Sequence, residues 1–272
     1  MTILDTIVER TRERIREEKQ HCPLTEIRAW AEAADGSGGK EMPAFERALR
    51  REGLSFICEV KKASPSKGLI ATDFPFVKIA EDYESAGASA ISCLTEPYWF
   101  KGSDKYLEEI ARKVSIPVLR KDFTCDEYMI YQAKAMGASA VLLICSVLDD
   151  GELSAYHQLA AELGLSALVE AHTAEEIERA QRAEAVIIGV NNRNLKDFTV
   201  DIGRSVELRR LVDKDTVFVS ESGIRGPENM RALYENGTDA VLIGEMLMRA
   251  KDRSEALRSL REAVAEGGSV PW

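Results

Sequence analysis

Apolar positions in this chain follow two different periods. From residue 54 onward, short apolar runs recur at 56–60, 90–94, 116–119, 140–145, 167–169, 186–190, 217–219 and 240–243. Their length, their β-branched content and the turn residues around them predict buried strands. Charged, alanine-rich stretches with apolar residues three and four apart lie between them, at 77–86, 106–113, 128–135, 153–163, 174–183, 205–211, 228–234 and about 254–265, and predict helices. Strands alternating with helices in this number predict a single α/β domain of the TIM-barrel class, a closed (β/α)8 barrel rather than an open sheet.

Before the first strand the period is helical throughout. Ile3, Leu4, Ile7, Val8 and Ile15 fall on one side of a helix expected over 1–20, a second helix is expected over 25–34, and a third over 43–51, where Pro43 suits a first turn. A glycine-rich loop over 34–40 separates the second and third. The expected organisation is an N-terminal helical extension over 1–53 packed on a barrel over 54–266, then a flexible tail over 267–272. An internal echo fits this plan: Gly87, Gly137 and Gly237 each stand between the end of a helix and the next strand. Such echoes speak to architecture, not to function.

Composition narrows the picture. A chain of 272 residues at 45% hydrophobic content matches one barrel, which typically takes about 250 residues. It has no apolar run long enough for a membrane span, and its opening residues lack a basic region followed by an apolar core. Its five cysteines have neither metal nor redox spacing, and Cys58, Cys93 and Cys145 sit in strand-like runs where a reduced thiol behaves as a small hydrophobe. A cytoplasmic protein without membrane contact is expected. The net charge of −10 argues against nucleic acid as a partner, so a phosphorylated small molecule would have to be met by local cations.

The candidate chemistry sits at strand ends. Glu59 and Lys61 close the first strand, and side chains two apart share a face. Charges on the inward face of a core strand are costly unless paired or used. The continuation Ser64-Pro-Ser-Lys-Gly68 can turn sharply and offer amides to an anion. The same parity puts Lys121 with Leu119 on the third strand, Glu170 on the fifth, Asn191 and Arg193 with Gly189 on the sixth, and Glu221 on the seventh. Barrel active sites form at the C-terminal ends of the strands. Parity-matched recurrence there points to an acid–base site rather than a solvated rim. Ser222, Gly223 and Gly244, after strands seven and eight, match the recurrent phosphate position of such barrels.

Other residues have blander expected roles. Glu96 is expected at the rim, Asp122 in a structural hydrogen bond, and His172 at the surface or behind the site. Tyr98, Trp99 and Phe100 either anchor a loop on the N-terminal helix or wall a planar substrate. No Gly-x-Gly-x-x-Gly fingerprint and no histidine–carboxylate cluster with metal spacing occur, and two lysines would compete with a metal for the carboxylates. A site with no metal and no cofactor is expected.

In this order the motifs resemble the indole-3-glycerol-phosphate synthase family, from about Phe45 through Arg249. They are Glu59-Val-Lys-Lys-Ala-Ser-Pro-Ser-Lys-Gly-Leu-Ile70, Leu94-Thr-Glu96, Phe100-Lys-Gly-Ser103, Leu119-Arg-Lys-Asp-Phe123, Leu168-Val-Glu170, Ile188-Gly-Val-Asn-Asn-Arg-Asn-Leu195, Val219-Ser-Glu-Ser-Gly-Ile224 and Ile243-Gly-Glu-Met-Leu-Met-Arg249. The resemblance implies closure of an indole ring on 1-(2-carboxyphenylamino)-1-deoxyribulose 5-phosphate, with loss of carbon dioxide and water. It implies Lys121 as general acid, Lys61 on the substrate carboxylate, and Glu170 in proton transfer tuned by Glu59 and Glu221. Asn191 would orient a hydroxyl or the lysine. The phosphate would rest on Lys61 or Ser64 and on amides near Ser222, Gly223 and Gly244, with Arg225 near that site or simply exposed; Arg193 is expected among the substrate-binding residues. Phe100, Phe123 and Pro65 would wall the ring. Glu245 departs from relatives with serine there and would repel a phosphate unless it points away. A monomer or weak homo-oligomer is expected. Two competing readings are a Schiff-base lyase using Lys121 on a sugar phosphate and a non-catalytic phosphate binder.

Overall fold

The computed structural model describes residues 2–34, 41–194 and 198–265. The glycine-rich stretch over 35–40 and the tail over 267–272 lie outside them. Eight parallel strands close on themselves in chain order: β1 (Ser55–Val60), β2 (Ala90–Leu94), β3 (Val118–Lys121), β4 (Ala140–Ile144), β5 (Ser166–Ala171), β6 (Ile187–Asn191), β7 (Val217–Glu221) and β8 (Ala240–Ile243), with β8 pairing back onto β1. Helices α1 (Ile3–His21), α2 (Leu24–Ala33) and α3 (Ala44–Leu49) precede the barrel. Crossovers carry α4 (Phe76–Ser85), α5 (Asp104–Ala111), α6 (Glu127–Ala135), α7 (Asp150–Glu162), α8 (Ala174–Arg182), α9 (Gly203–Leu208) and α10 (Pro227–Glu235), and α11 (Glu245–Arg249) and α12 (Arg253–Ala265) follow β8. Among the described residues no helix is long and apolar enough to cross a membrane.

The strands differ from their apolar runs in an informative way. β3 starts at Val118 rather than 116, after Pro117, which has no N–H to donate. β3, β5, β6 and β7 run on into Lys121, Glu170, Asn191 and Glu221, beyond their apolar stretches. These polar residues keep their places in the ladder, with Leu94 beside Lys121, Ile144 beside Glu170 and Asn191 beside Glu221. They partner one another inside the barrel, so the strands need not stop where the apolar residues do. α7 starts earlier than expected because Asp149 and Glu152 form a reciprocal capping box. The short α11 falls in a stretch read only as a strand end.

Alternation sorts the strand residues into two cores. Ile57, Leu119, Leu168, Ile187, Val217 and Val219 point inward, and Phe45 and Leu49 of α3 pack with them, closing the N-terminal mouth. Cys58, Val60, Val141, Val169 and Phe218 point outward against the helices. The parity that buries Ile57, Leu119, Leu168 and Val219 carries Glu59, Lys121, Glu170 and Glu221 to the inner face one step later.

α1 is tied to the opposite, C-terminal end. Arg14 Nη2 lies 2.8 Å from Asp122 Oδ2, with both side chains buried. Asp122 also accepts from Thr95 Oγ1 and from the Phe123 N–H, each at 2.8 Å. Burial pushes the Asp122 carboxyl up, but Arg14 and Arg120 outweigh it and hold it below the usual carboxylate range. Asp122 thus has the structural role expected of it, a junction joining Arg14 of α1 to Thr95, Arg120 and the Phe123 backbone beside Lys121.

Candidate active site

At the C-terminal end of the barrel lies a cavity of about 650 Å³, lined by every residue singled out above as catalytic or substrate-binding. Its floor is an ion cluster. Lys121 Nζ sits 3.0 Å from Glu170 Oε2 and 2.8 Å from Glu221 Oε2. Burial alone would pull this ammonium's pKa down, but Glu170, Glu221 and Glu59 outweigh that and raise it. The two carboxylates part company. Burial drives Glu221 up to about 7 despite Lys121, with the Glu170 and Glu59 charges pushing the same way. Glu170 suffers the same burial, yet Lys121, His172 and a hydrogen bond from Asn191 bring it below its ordinary value. Asn191 Oδ1 accepts from the Arg193 N–H at 3.0 Å, which leaves its amide N–H groups to face Glu170. One carboxylate is thus held ionised while its neighbour titrates near neutrality, the pattern of an acid–base pair.

Glu59 and Lys61 form a direct ion pair at the cavity edge. Three carboxylates, Glu59, Glu170 and Glu221, meet two ammonium groups, Lys61 and Lys121. The sum is −1 with all ionised and zero once Glu221 takes a proton. Two glycines make the cluster possible. A Cβ on Gly244 would collide with Glu59 Oε1 and stand 2.9 Å from Lys61 Nζ, and a Cβ on Gly189 would collide with Glu221 Oε1.

The walls are apolar. Phe100 and Phe123 meet at a tilt of 44° with 5.9 Å between ring centroids, and Ile3, Leu4 and Ile7 of α1 close one side. The open question about 98–100 resolves by residue. Tyr98 meets Arg10 of α1 at 4.7 Å, and neither it nor Trp99 lines the cavity, whereas Phe100 does. Glu96 corrects the expectation of a rim position. It is wholly buried and accepts the N–H groups of Tyr98, Trp99 and Phe100 at 2.7, 2.8 and 2.9 Å. It shapes the loop that presents Phe100.

Opposite the walls, Ser222 and Gly223 both adopt left-handed backbone, at φ 65° and 88°, and turn the chain sharply after β7. Asn192, fully buried, donates to the Ser222 carbonyl at 3.1 Å and to Ser220 Oγ at 3.0 Å. Ser64 pairs with Gly68 in a two-residue antiparallel hairpin, so the stretch read as a loop carries regular pairing. Glu245 points into a cation cluster. Arg249 lies 3.3 Å away, Lys67 3.7 Å and Arg193 3.8 Å. The repulsion expected of this carboxylate is offset by these neighbours.

The family profile for indole-3-glycerol phosphate synthase matches residues 4–260. The chain belongs to the indole-3-glycerol phosphate synthase family. The indole-3-glycerol phosphate synthase of Ruminiclostridium cellulolyticum is 52% identical over 259 residues, covering 95% of this chain and 98% of its own. That of Endomicrobium trichonymphae is 52% identical over 260 residues, covering 96% and 100%. Among solved structures, 3-hexulose-6-phosphate synthase superposes with a TM-score of 0.62 at 14% identity, over 78% of this chain and all of its own, a likeness of fold alone.

Several residues of this synthase-family site had no reading of their own at the sequence level. Asn192 follows Asn191 but faces outward, and only its hydrogen bonds to Ser205, Ser220 and Ser222 reveal that it ties α9 to the turn after β7. Lys67 and Arg249 look like solvated charges until Glu245 gathers them. Gly189 looks like a strand glycine, and its reason is the Glu221 oxygen. Gly244 was expected to admit a phosphate, and the structure adds room for the Glu59–Lys61 pair. Gly244→Ala is expected to force that pair apart, costing about 1–3 kcal/mol in stability and lowering turnover about tenfold or more. Thermal melts and steady-state kinetics read the two effects separately.

Proposed function

We propose that this chain converts 1-(2-carboxyphenylamino)-1-deoxyribulose 5-phosphate to indole-3-glycerol phosphate, releasing carbon dioxide and water, in tryptophan biosynthesis. The observation that carries this reading is the Lys121 ammonium held between Glu170 and Glu221 at the base of an aromatic-walled cavity. In the reaction, the ring carbon bearing the carboxylate attacks the ketone carbon, and the ketone oxygen gains negative charge. A charged lysine at that oxygen stabilises the charge and supplies the proton. Loss of the carboxyl group as carbon dioxide returns its bonding electrons to the ring. The new hydroxyl then leaves as water, and a proton departs from the adjacent carbon.

The geometry supports the following roles. Lys121 is the acid for the ketone oxygen. Lys61, partnered only by Glu59 among the described ion pairs, takes the substrate carboxylate. Glu170, held ionised, accepts the proton of the dehydration step, and Glu221, near 7, supplies or takes one at neutral pH. Asn191 fixes Glu170. The phosphate rests at the Ser222–Gly223 turn and Gly244, where Arg193, Lys67 and Arg249 exchange Glu245 for it. Phe100 and Phe123 hold the anthranilate ring. The reading needs no cofactor, and it takes the chain as a cytoplasmic monomer or weak homo-oligomer.

Lys121 also bears on the Schiff-base alternative. An imine-forming lysine must shed its proton, and this one is held protonated by two carboxylates. Borohydride in the presence of substrate is expected to leave Lys121 unmodified. The direct test mixes purified protein with the carboxyphenylamino deoxyribulose phosphate and follows indole fluorescence and carbon dioxide together. Their appearance in equal amounts supports the reading, and consumption without indole refutes it.

A further inference from the structure

His172 lies outside the cavity lining and still reaches its chemistry. It follows the last residue of β5, and its side chain is only 12% exposed. Its backbone N–H and its Nδ1 both meet Glu176 Oε2 on α8, at 2.6 and 3.3 Å. That grip turns Nε2 toward Glu170 Oε1 at 3.6 Å, where Nε2 is buried with no hydrogen-bond partner. The other oxygen of Glu170 faces Lys121. The carboxylate is therefore shared between a lysine on the substrate side and an imidazole behind it.

We propose that His172 is a positioning residue, an imidazolium anchored by Glu176 that holds the rear oxygen of Glu170 and keeps Glu170 ionised while Glu221 carries the exchangeable proton of the site. This rests on the reading of Glu170 as the proton acceptor in the dehydration step. The groups facing the imidazole are consistent with a charged ring. Glu170 comes from its own strand, Glu176 from α8 and Glu221 from β7, while Lys121 of β3 stands beyond Glu170. Arg179, also on α8, is committed to Asp150 and to the carbonyls of Cys145 and Leu148. Burial draws the ring's pKa down, but the hydrogen bond to Glu176 and the Glu170 and Glu221 charges outweigh it and raise it. Lys121 serves Glu170 and Glu221 alike, so it cannot separate them. Of the two cations acting on these carboxylates, only His172 lies within ion-pair distance of Glu170 and not of Glu221.

The test replaces charge while keeping hydrogen-bonding capacity. His172→Gln is expected to move the acidic limb of the kcat–pH profile upward by about one unit, the size expected from losing a nearby opposite charge. KM stays within about twofold, because His172 does not line the cavity. Glu176→Gln is expected to shift the same limb in the same direction by less. Proton NMR of the unsubstituted protein gives an independent reading, since the chain has only three histidines. The His172 ring should titrate above the ordinary value of about 6.5. That titration is read without substrate, so it stands or falls apart from the assignment of the reaction. An unmoved acidic limb in a folded His172→Gln protein overturns the proposal. If that variant fails to fold, His172 titrating below its ordinary value overturns it.

Discussion

Lys121→Ala is expected to lower kcat for indole formation by about 10²–10⁴-fold, the usual contribution of a positioned general acid, while the barrel still assembles. The variant leaves Glu170 and Glu221 facing each other in a buried site without their shared cation. An unpaired buried charge costs about 3–5 kcal/mol, but a carboxylate has a way out that a lysine partner would otherwise close: it can take a proton. Glu221 already stands at about 7 against an ordinary 4.5, so it protonates first. The sign of the pH effect follows. A carboxyl whose folded pKa is raised contributes its full stability below its unfolded pKa and loses it as pH rises toward the folded one. Without Lys121 the folded pKa rises further. Melting temperature in the variant should therefore fall more steeply than in the parent protein between about pH 5 and pH 8. Calorimetry across that window, paired with single-turnover indole fluorescence, checks both halves. Near-normal indole production by Lys121→Ala would remove the lysine from the mechanism.

Glu96→Ala is expected to be among the most destabilising single substitutions at the cavity, at about 3 kcal/mol or more. The carboxylate accepts three consecutive backbone N–H groups and is completely buried, so truncation strands three donors at once. For a domain of this size the melting temperature should drop by about 6–12 °C. The loop also carries Phe100, whose carbonyl accepts the Ala63 N–H at 3.2 Å beneath the Ser64 hairpin. KM should rise along with the loss of stability, since the aromatic wall and the hairpin base loosen together. Glu96→Gln keeps one strong acceptor and should show a smaller version of both effects. A melt unchanged within about 1 °C in Glu96→Ala would mean that water satisfies those amides and that Glu96 does not organise the loop.

How much of the site could be read in advance depended on periodicity. Glu59, Lys121, Glu170 and Glu221 were legible because each stands two positions beyond an inward apolar residue, and a strand cannot move one inward without the other. Asn191 was legible for the same reason, two beyond Gly189. His172 shares this parity, but it sits past the end of β5, where the chain turns toward α8, and parity no longer decides what a side chain meets. Glu96 was misjudged for a related cause. A carboxylate next to aromatic residues in a loop reads as solvated, and nothing local says that three amides will fold back over it.

The sequence by itself determined that this chain would form a barrel, which strand faces would be inward, and which charged side chains would gather at one end. Those properties rest on periods of two and of about 3.6 residues, which act over neighbouring positions. Only the tertiary structure decided how the gathered charges divide their work. Lys121 sits between carboxylates contributed by β5 and β7, 49 and 100 residues away along the chain. His172 backs one of them and not the other, and Gly189 and Gly244 leave space for oxygens belonging to other strands. Proton affinity depends on distance and burial in three dimensions, so two glutamates alike in sequence pattern can come to differ in the state they hold at neutral pH.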